Sequence, residues 1–252
     1  MWHGIDFLEG NLQTIIGFSD NNIWVGGFWA VNSTLFALIA NWNGSTWNVW
    51  KPQDYGAIFS LWGTSSSDLF ACGANGLILH FDGTRWSRME SGTNHSLYGI
   101  WGAGARVYAT GGTSTTGIGV LLTRENGVWR KLHERGFRAD SLSGLVSALW
   151  AKSEDRFYIS EYSGKDGSWV KLLIPNDNTY IERIRGQGEV DIFYAGDFGL
   201  LIHWNGSSWY RYPEFYKKPE GDVLYGIHLQ GDKVFVVGQT TGFRGIVYRG
   251  SR

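Results

Sequence analysis

The chain has 252 residues, 43% hydrophobic and 16% aromatic, and its 22 Lys and Arg nearly cancel its 23 Asp and Glu, for a net charge of −1. So even a balance gives no basic field to attract a nucleic-acid partner, and no apolar run approaches the roughly 20 residues of a membrane-spanning helix, so no membrane insertion is expected. The single cysteine, Cys72, excludes an intramolecular disulfide and a cysteine-based zinc site.

The chain opens with Met1-Trp2-His3-Gly4, a short Trp-containing segment that reads as an isolated strand over residues 2–7. A series of similar units follows. The first strand of each carries an apolar pair three residues apart: Leu12/Ile15, Ile58/Leu61, Leu97/Ile100, Val146/Leu149, Ile181/Ile184 and Leu224/Ile227. The second strand recurs as Ile23-Trp24-Val25, Leu69-Phe70-Ala71, Val107-Tyr108-Ala109, Phe157-Tyr158-Ile159, Ile192-Phe193-Tyr194 and Val234-Phe235-Val236. Third strands such as Ile78-Leu79-His80-Phe81 run into Asn-Gly or Asp-Gly steps at residues 43–44, 82–83, 126–127, 166–167 and 205–206. These steps suit type I′ hairpins, which need positive φ at both central residues. A tryptophan then opens the fourth strand: Trp47, Trp86, Trp129, Trp169 and Trp209, spaced with Trp2 at 45, 39, 43, 40 and 40 residues.

A repeat of about 42 residues with four short strands, apolar on both faces, predicts sheets covered on each side by their neighbours. The sequence is therefore expected to form one all-β domain, a six-bladed β-propeller with four-stranded blades at about 11–54, 55–93, 94–137, 138–177, 178–220 and 221–252 plus 1–10. The sixth unit stops after Ile246-Val247-Tyr248, and residues 2–7 are expected to supply its missing strand and close the ring. Cys72 reads as a small buried core residue.

The second unit resembles bacterial β-propeller repeats of the form W-G-x-S-x-x-D-[VLI]-[FW]-A-x-G followed by G-x-I-L-H-[FWY]-[DN]-G-x-x-W. The match runs over Trp62-Gly63-Thr64-Ser65, Asp68 to Gly73 and Gly76 to Trp86. Such repeats are loosely labelled glycosyl-hydrolase-like or BNR-like, and the resemblance implies the fold rather than an activity. It also implies an extracellular or cell-envelope protein, any signal peptide lying outside this chain. The D-G-x-x-W step differs from the sialidase Asp-box, and a sialidase catalytic set cannot be assigned.

His80 and His203 occupy matching places in the repeat and read as structural. The candidate ligand-binding residues are departures from the repeat or lie in the variable loops of one face. Arg185 and His228 stand where Trp62, Trp101 and Trp150 stand in other units. Trp29 follows Gly26-Gly27-Phe28 in an expected loop, where its ring would suit a sugar. His95, Arg138, Asp140, Asp177, Tyr180 and Arg244 fall in loops that would surround the same mouth. No catalytic residue, metal site or cofactor is expected. The favoured reading is a non-catalytic, monomeric propeller that binds a glycan or another envelope component in a loop-lined pocket. The alternatives are a protein-interaction scaffold with a broad exposed patch and a carbohydrate-active hydrolase or lyase of sialidase-like architecture.

Overall fold

The computed structural model describes residues 10–113, 115–135, 146–160, 162–165, 168–175, 179–217, 220–242 and 244–251. They form six antiparallel sheets that follow one another around a ring. Blade 1 holds β1 (Asn11–Ser19), β2 (Asn22–Val31), β3 (Thr34–Trp42) and β4 (Trp47–Trp50). Blade 2 holds β5 (Ile58–Ser65), β6 (Asp68–Gly73), β7 (Ile78–Phe81) and β8 (Trp86–Met89). Blade 3 holds β9 (Leu97–Ala103), β10 (Arg106–Thr113), β11 (Ile118–Glu125) and β12 (Val128–Arg135). Blade 4 holds β13 (Leu149–Ser153), β14 (Arg156–Ile159), β15 (Tyr162–Lys165) and β16 (Ser168–Lys171). Blade 5 holds β17 (Ile181–Gly188), β18 (Asp191–Gly196), β19 (Leu201–Trp204) and β20 (Trp209–Arg211). Blade 6 shows β21 (Val223–Gln230), β22 (Lys233–Gln239) and β23 (Gly245–Ser251). The closing strand expected at 2–7 lies outside the described residues. Among those residues no helix is long and apolar enough to cross a membrane.

The first strands of successive blades touch one another, β1 with β5, then β9, β13, β17 and β21, so they line the axis. In blades 2 to 6 the apolar pair packs into the face of the preceding blade. Ile58 and Leu61 meet Trp24, Ala37 and Ile39; Leu97 and Ile100 meet Phe70, Cys72 and Ile78. The same contact recurs with Tyr108 and Leu121, with Tyr158, and with Phe193 and Leu201. In blades 2 to 6 no member of the pair is more than 7% exposed, whereas Leu12 and Ile15 of blade 1 are 47% and 70% exposed. Val237 and Val247 of blade 6 hold the places of the fully buried Cys72 and Ile78, yet are 45% and 70% exposed. Five junctions thus carry the core, and the flanks of blades 1 and 6 carry little. Cys72 is buried, and its thiol donates to the Leu97 carbonyl at 3.3 Å.

A second regularity shapes the inner strands. In five blades the pairing of first and second strand skips one residue: Gln13, Phe59, Tyr98, Glu182 and Tyr225 are each bulged out of register. Opposite the residue before each bulge stands a glycine: Gly27, Gly73, Gly111, Gly196 and Gly238. A Cβ there would lie only 1.9–2.2 Å from a backbone carbonyl oxygen of the inner strand. The glycine lets the two backbones close up where the bulge bends the strand.

The turns differ from expectation. Only Asn126-Gly127 has positive φ at both residues (48° and 84°) as a type I′ turn requires. At 43–46, 82–85 and 205–208 only the glycine is positive, and the side chain before it closes the turn. Asp82 Oδ1 accepts from the Thr84 and Arg85 amides, both at 2.9 Å, and Asn43 and Asn205 act alike. Asp166-Gly167 lies outside the described residues.

Leu61→Ala is expected to cost about 2–5 kcal/mol, and Ile15→Ala, at the same repeat position in blade 1, under about 1 kcal/mol; urea unfolding of the two variants checks this. Gly73→Ala is expected to cost about 1–3 kcal/mol by crowding the Ala57 carbonyl. Gly250→Ala, with open space around it, should leave the urea midpoint unchanged or slightly raised.

Candidate functional site

The bulges gather side chains at the end of the axis where the first strands begin. Phe59 and Tyr98, bulge residues of neighbouring blades, stack at 5.0 Å between ring centroids. Blade 4 contributes Ser147, which stands between Val146 and Leu149 just ahead of β13. Its Oγ accepts from the Tyr180 hydroxyl at 3.2 Å and donates to the Glu182 carbonyl at 3.5 Å. Next along β17, Arg183 Nε donates to the Tyr225 carbonyl at 3.1 Å and ties blade 5 to blade 6. The Asp197–Gly199 turn borders the cluster. Its Asp197 amide donates to the Tyr180 carbonyl at 3.1 Å, and Phe198 holds a positive φ of 57°. The result is a mouth with an aromatic half (Phe59, Tyr98) and a polar half (Ser147, Tyr180, Glu182, Arg183, Tyr225).

Burial dominates the electrostatics here. It pushes the Glu182 carboxyl above the usual glutamate range, and the nearby Asp197 charge adds to this. Arg183 and a Ser147 hydrogen bond oppose it. Burial also raises Asp197 and lifts the Tyr180 hydroxyl to about 12. Deeper in the channel, Arg185 lies 4.1 Å from the centre of the Trp101 ring and donates from Nη1 to the Leu149 and Ile184 carbonyls at 3.3 and 2.7 Å. Burial and Arg183 together lower its affinity for its proton. Among the described residues no group of three His, Cys, Asp or Glu side chains is placed to hold a metal ion. The mouth offers hydrogen-bond donors, acceptors and ring faces, which is the chemistry of recognition.

Of the residues singled out in the sequence, Tyr180 and Arg185 belong to this cluster and its floor. His228 is exposed on β21, cross-strand from Phe235. His95 lies 3.4 Å from Glu134 Oε1 on blade 3. Arg244 is exposed in the turn before β23, its amide donating to Thr240 Oγ1 at 3.2 Å. Arg138, Asp140 and Asp177 lie outside the described residues. Trp29 corrects the expectation of a loop residue: it sits inside β2, paired with Phe36 across a long hairpin that turns at Asn32-Ser33. The Phe36 ring lies 5.4 Å from it and Lys51 Nζ 5.6 Å, while its buried Nε1 has no acceptor. Blade 1 extends β2 and β3 where blades 2 and 5 make a short 3-10 turn, so the Gly-Gly step reads as a loop but pairs as strand. Glu182, Ser147 and Tyr225 were not singled out. Their signal was the residue between the members of each apolar pair, which varies as Gln13, Phe59, Tyr98, Ser147, Glu182 and Tyr225.

The raised Glu182 carboxyl has a defined pH signature. A carboxyl whose folded value exceeds its unfolded one binds its proton more tightly in the folded state. Its stabilising contribution is therefore complete below the ordinary glutamate value of about 4.3 and is lost as pH rises through the folded value. Glu182→Gln is thus expected to unfold at higher urea than wild type at pH 8, with the difference vanishing near pH 4. Equal midpoints at pH 8 would contradict the assignment.

No protein-family model and no curated protein matches the chain. Among solved structures it is similar to YCF48 bound to D1 peptide, with a TM-score of 0.68 and 15% identity over 100% of this chain and 81% of that one. It is also similar to YCF48 from Cyanidioschyzon merolae, with a TM-score of 0.59 and 13% identity over 91% of this chain and 93% of that one. At these identities the likeness is one of fold, and it places the chain among β-propellers.

Proposed function

We propose that the chain is a non-catalytic propeller that binds an extended segment of a protein partner across the channel mouth. The observation that carries this reading is the ring of bulge residues, which sets the stacked Phe59–Tyr98 pair beside the Ser147–Glu182–Arg183–Tyr225 cluster on one rim. An extended peptide presents backbone donors and acceptors with side chains alternating on its two sides. A rim that is aromatic on one side and hydrogen-bonding on the other meets both needs. The peptide complex named for YCF48, a propeller of similar fold, supports a protein partner. A glycan at this mouth has less support, because Trp29, the expected stacking ring, packs within its own blade against Phe36 and Lys51.

An array of linear peptides probed with the wild-type chain and with Tyr98→Ala and Tyr225→Ala tests the proposal. Both substitutions are expected to weaken the bound peptides roughly tenfold or more, the 1.4 kcal/mol scale of a lost interface anchor. A wild-type chain that retains no peptide, or variants that bind as wild type does, would overturn it.

A further inference from the structure

Two blades carry an Asp–His pair on the outer half of the sheet; the matching positions of blade 1 carry two asparagines, and a groove lies beside them. In blade 2, His80 stacks on its cross-strand neighbour Phe70 at 4.5 Å, and its Nε2 lies 2.8 Å from Asp68 Oδ1. Blade 5 repeats this with His203 on Phe193 at 4.0 Å and Asp191 at 2.9 Å. In blade 1 the same three positions hold Asn41, Trp24 and Asn22. The Asn22 Oδ1 accepts from Trp24 Nε1 at 2.9 Å and from Asn41 Nδ2 at 3.3 Å, and Asn41 Nδ2 also reaches the Ile23 carbonyl at 3.3 Å. The charged, ring-filled pair has become a neutral amide pair with a smaller side chain over the aromatic ring.

Both amides line a groove of about 600 Å³ between blades 1 and 2, within the roughly 300–1,000 Å³ of small-molecule sites. Its apolar wall includes Trp24, Trp50 and Trp86. Trp50 and Trp86 are nearly parallel, 18° apart at 6.3 Å, and Trp24 stands edge-on to Trp86. Its polar lining includes Asn48 and Thr84, both exposed. Among the described residues the one charged lining side chain, Arg85, is 80% exposed and 4.0 Å from the Asp82 carboxylate. Within the amide pair, the Asn22 Nδ2 donors and the Asn41 Oδ1 acceptor are unspent. Donor and acceptor side by side match a hydroxyl, which gives and takes a hydrogen bond at one atom. The half-buried indoles of Trp50 and Trp86 match the apolar C–H face of a pyranose ring.

We infer that the groove between blades 1 and 2 is a binding site for a neutral oligosaccharide, separate from the channel mouth. The test titrates the full chain with cellohexaose, chitohexaose and maltohexaose by isothermal titration calorimetry and by the shift in intrinsic tryptophan fluorescence. A saturable shift with at least one sugar is expected. The double variant Asn22→Asp with Asn41→His rebuilds the pair of blades 2 and 5, so the fold has a precedent for it. It is expected to weaken binding roughly tenfold or more. Asn48→Ala, exposed and remote from the core, is expected to weaken it several-fold and serves if the double variant does not fold. Tyr98→Ala, at the mouth, should leave the titration unchanged, which separates this site from the peptide reading. No response to any of the three sugars, or equal affinity in wild type and Asn48→Ala, would overturn the inference.

Discussion

The architecture depends on the glycine that faces each bulge. An inner strand of a propeller must crowd toward the axis, and there its backbone meets the second strand. Gly27, Gly73, Gly111, Gly196 and Gly238 remove the side chain that would collide with a carbonyl oxygen of the first strand. With that contact made, one residue of the first strand is left without a cross-strand partner, and its side chain is free of the sheet's alternation. The glycine that recurs at the end of five second strands is thus the backbone condition for the mouth. The same step that packs the blade also releases one side chain at the mouth in each of five blades. Blade 4 has Ser160 near this step, at a φ of 46°, with its amide on the Ala148 carbonyl at 3.1 Å. The position that matches the glycine, Glu161, lies outside the described residues.

Stability flows around the ring in one direction. Each blade offers an apolar pair to the blade before it and an aromatic–aliphatic face to the blade after it, so each junction buries residues from both. Most of the favourable energy of such a fold is nearest-neighbour packing. The exposed Leu12, Ile15, Val237 and Val247 follow from the same rule: each is a junction residue whose opposite face is not supplied among the described residues. The graded burial is a property of position in the series, since the side chains themselves are ordinary junction residues.

The blades were legible because a repeat tests itself. A pair such as Ile58/Leu61 is ambiguous alone, but six occurrences in register with a second-strand aromatic and a fourth-strand tryptophan leave few folds. Cys72 was legible from its place in a second core strand, and the two histidines from their matching places in blades 2 and 5. The turns were less so. Asp82-Gly83 and Asn126-Gly127 look alike in sequence, yet the first is closed by its own carboxylate and the second by backbone geometry, the first turn running over residues 82–85 and the second over 126–127 alone. Trp29 was misplaced because glycine punctuation usually ends a strand, whereas here Gly26-Gly27 lies under the close approach of β1 and the hairpin runs on. The mouth was the least legible. Its members are far apart in sequence and meet only through the bulges, and a bulge is a matter of register that alternation of residue types does not reveal.

Where the repeat is kept, its residues explain the fold; where it is broken, a reason outside the fold is needed. Blade 5 could have carried an aromatic residue at the bulge and a tryptophan three positions on, as blades 2 and 3 do. Instead it holds Glu182, Arg183 and Arg185, whose ionised forms burial disfavours. Blades 2 and 5 hold an Asp–His pair on the outer half of the sheet, and blade 1 holds two asparagines at the same positions. The two departures differ in kind. The first adds charge to a crowded mouth at a cost in folding energy, which suits an orienting contact with a charged or strongly polar partner. The second removes charge from an open groove and leaves neutral donors and acceptors beside indole faces, which suits a partner with many weak hydroxyl contacts. The two sets of residues stand on different blades, so each surface can be altered without disturbing the other.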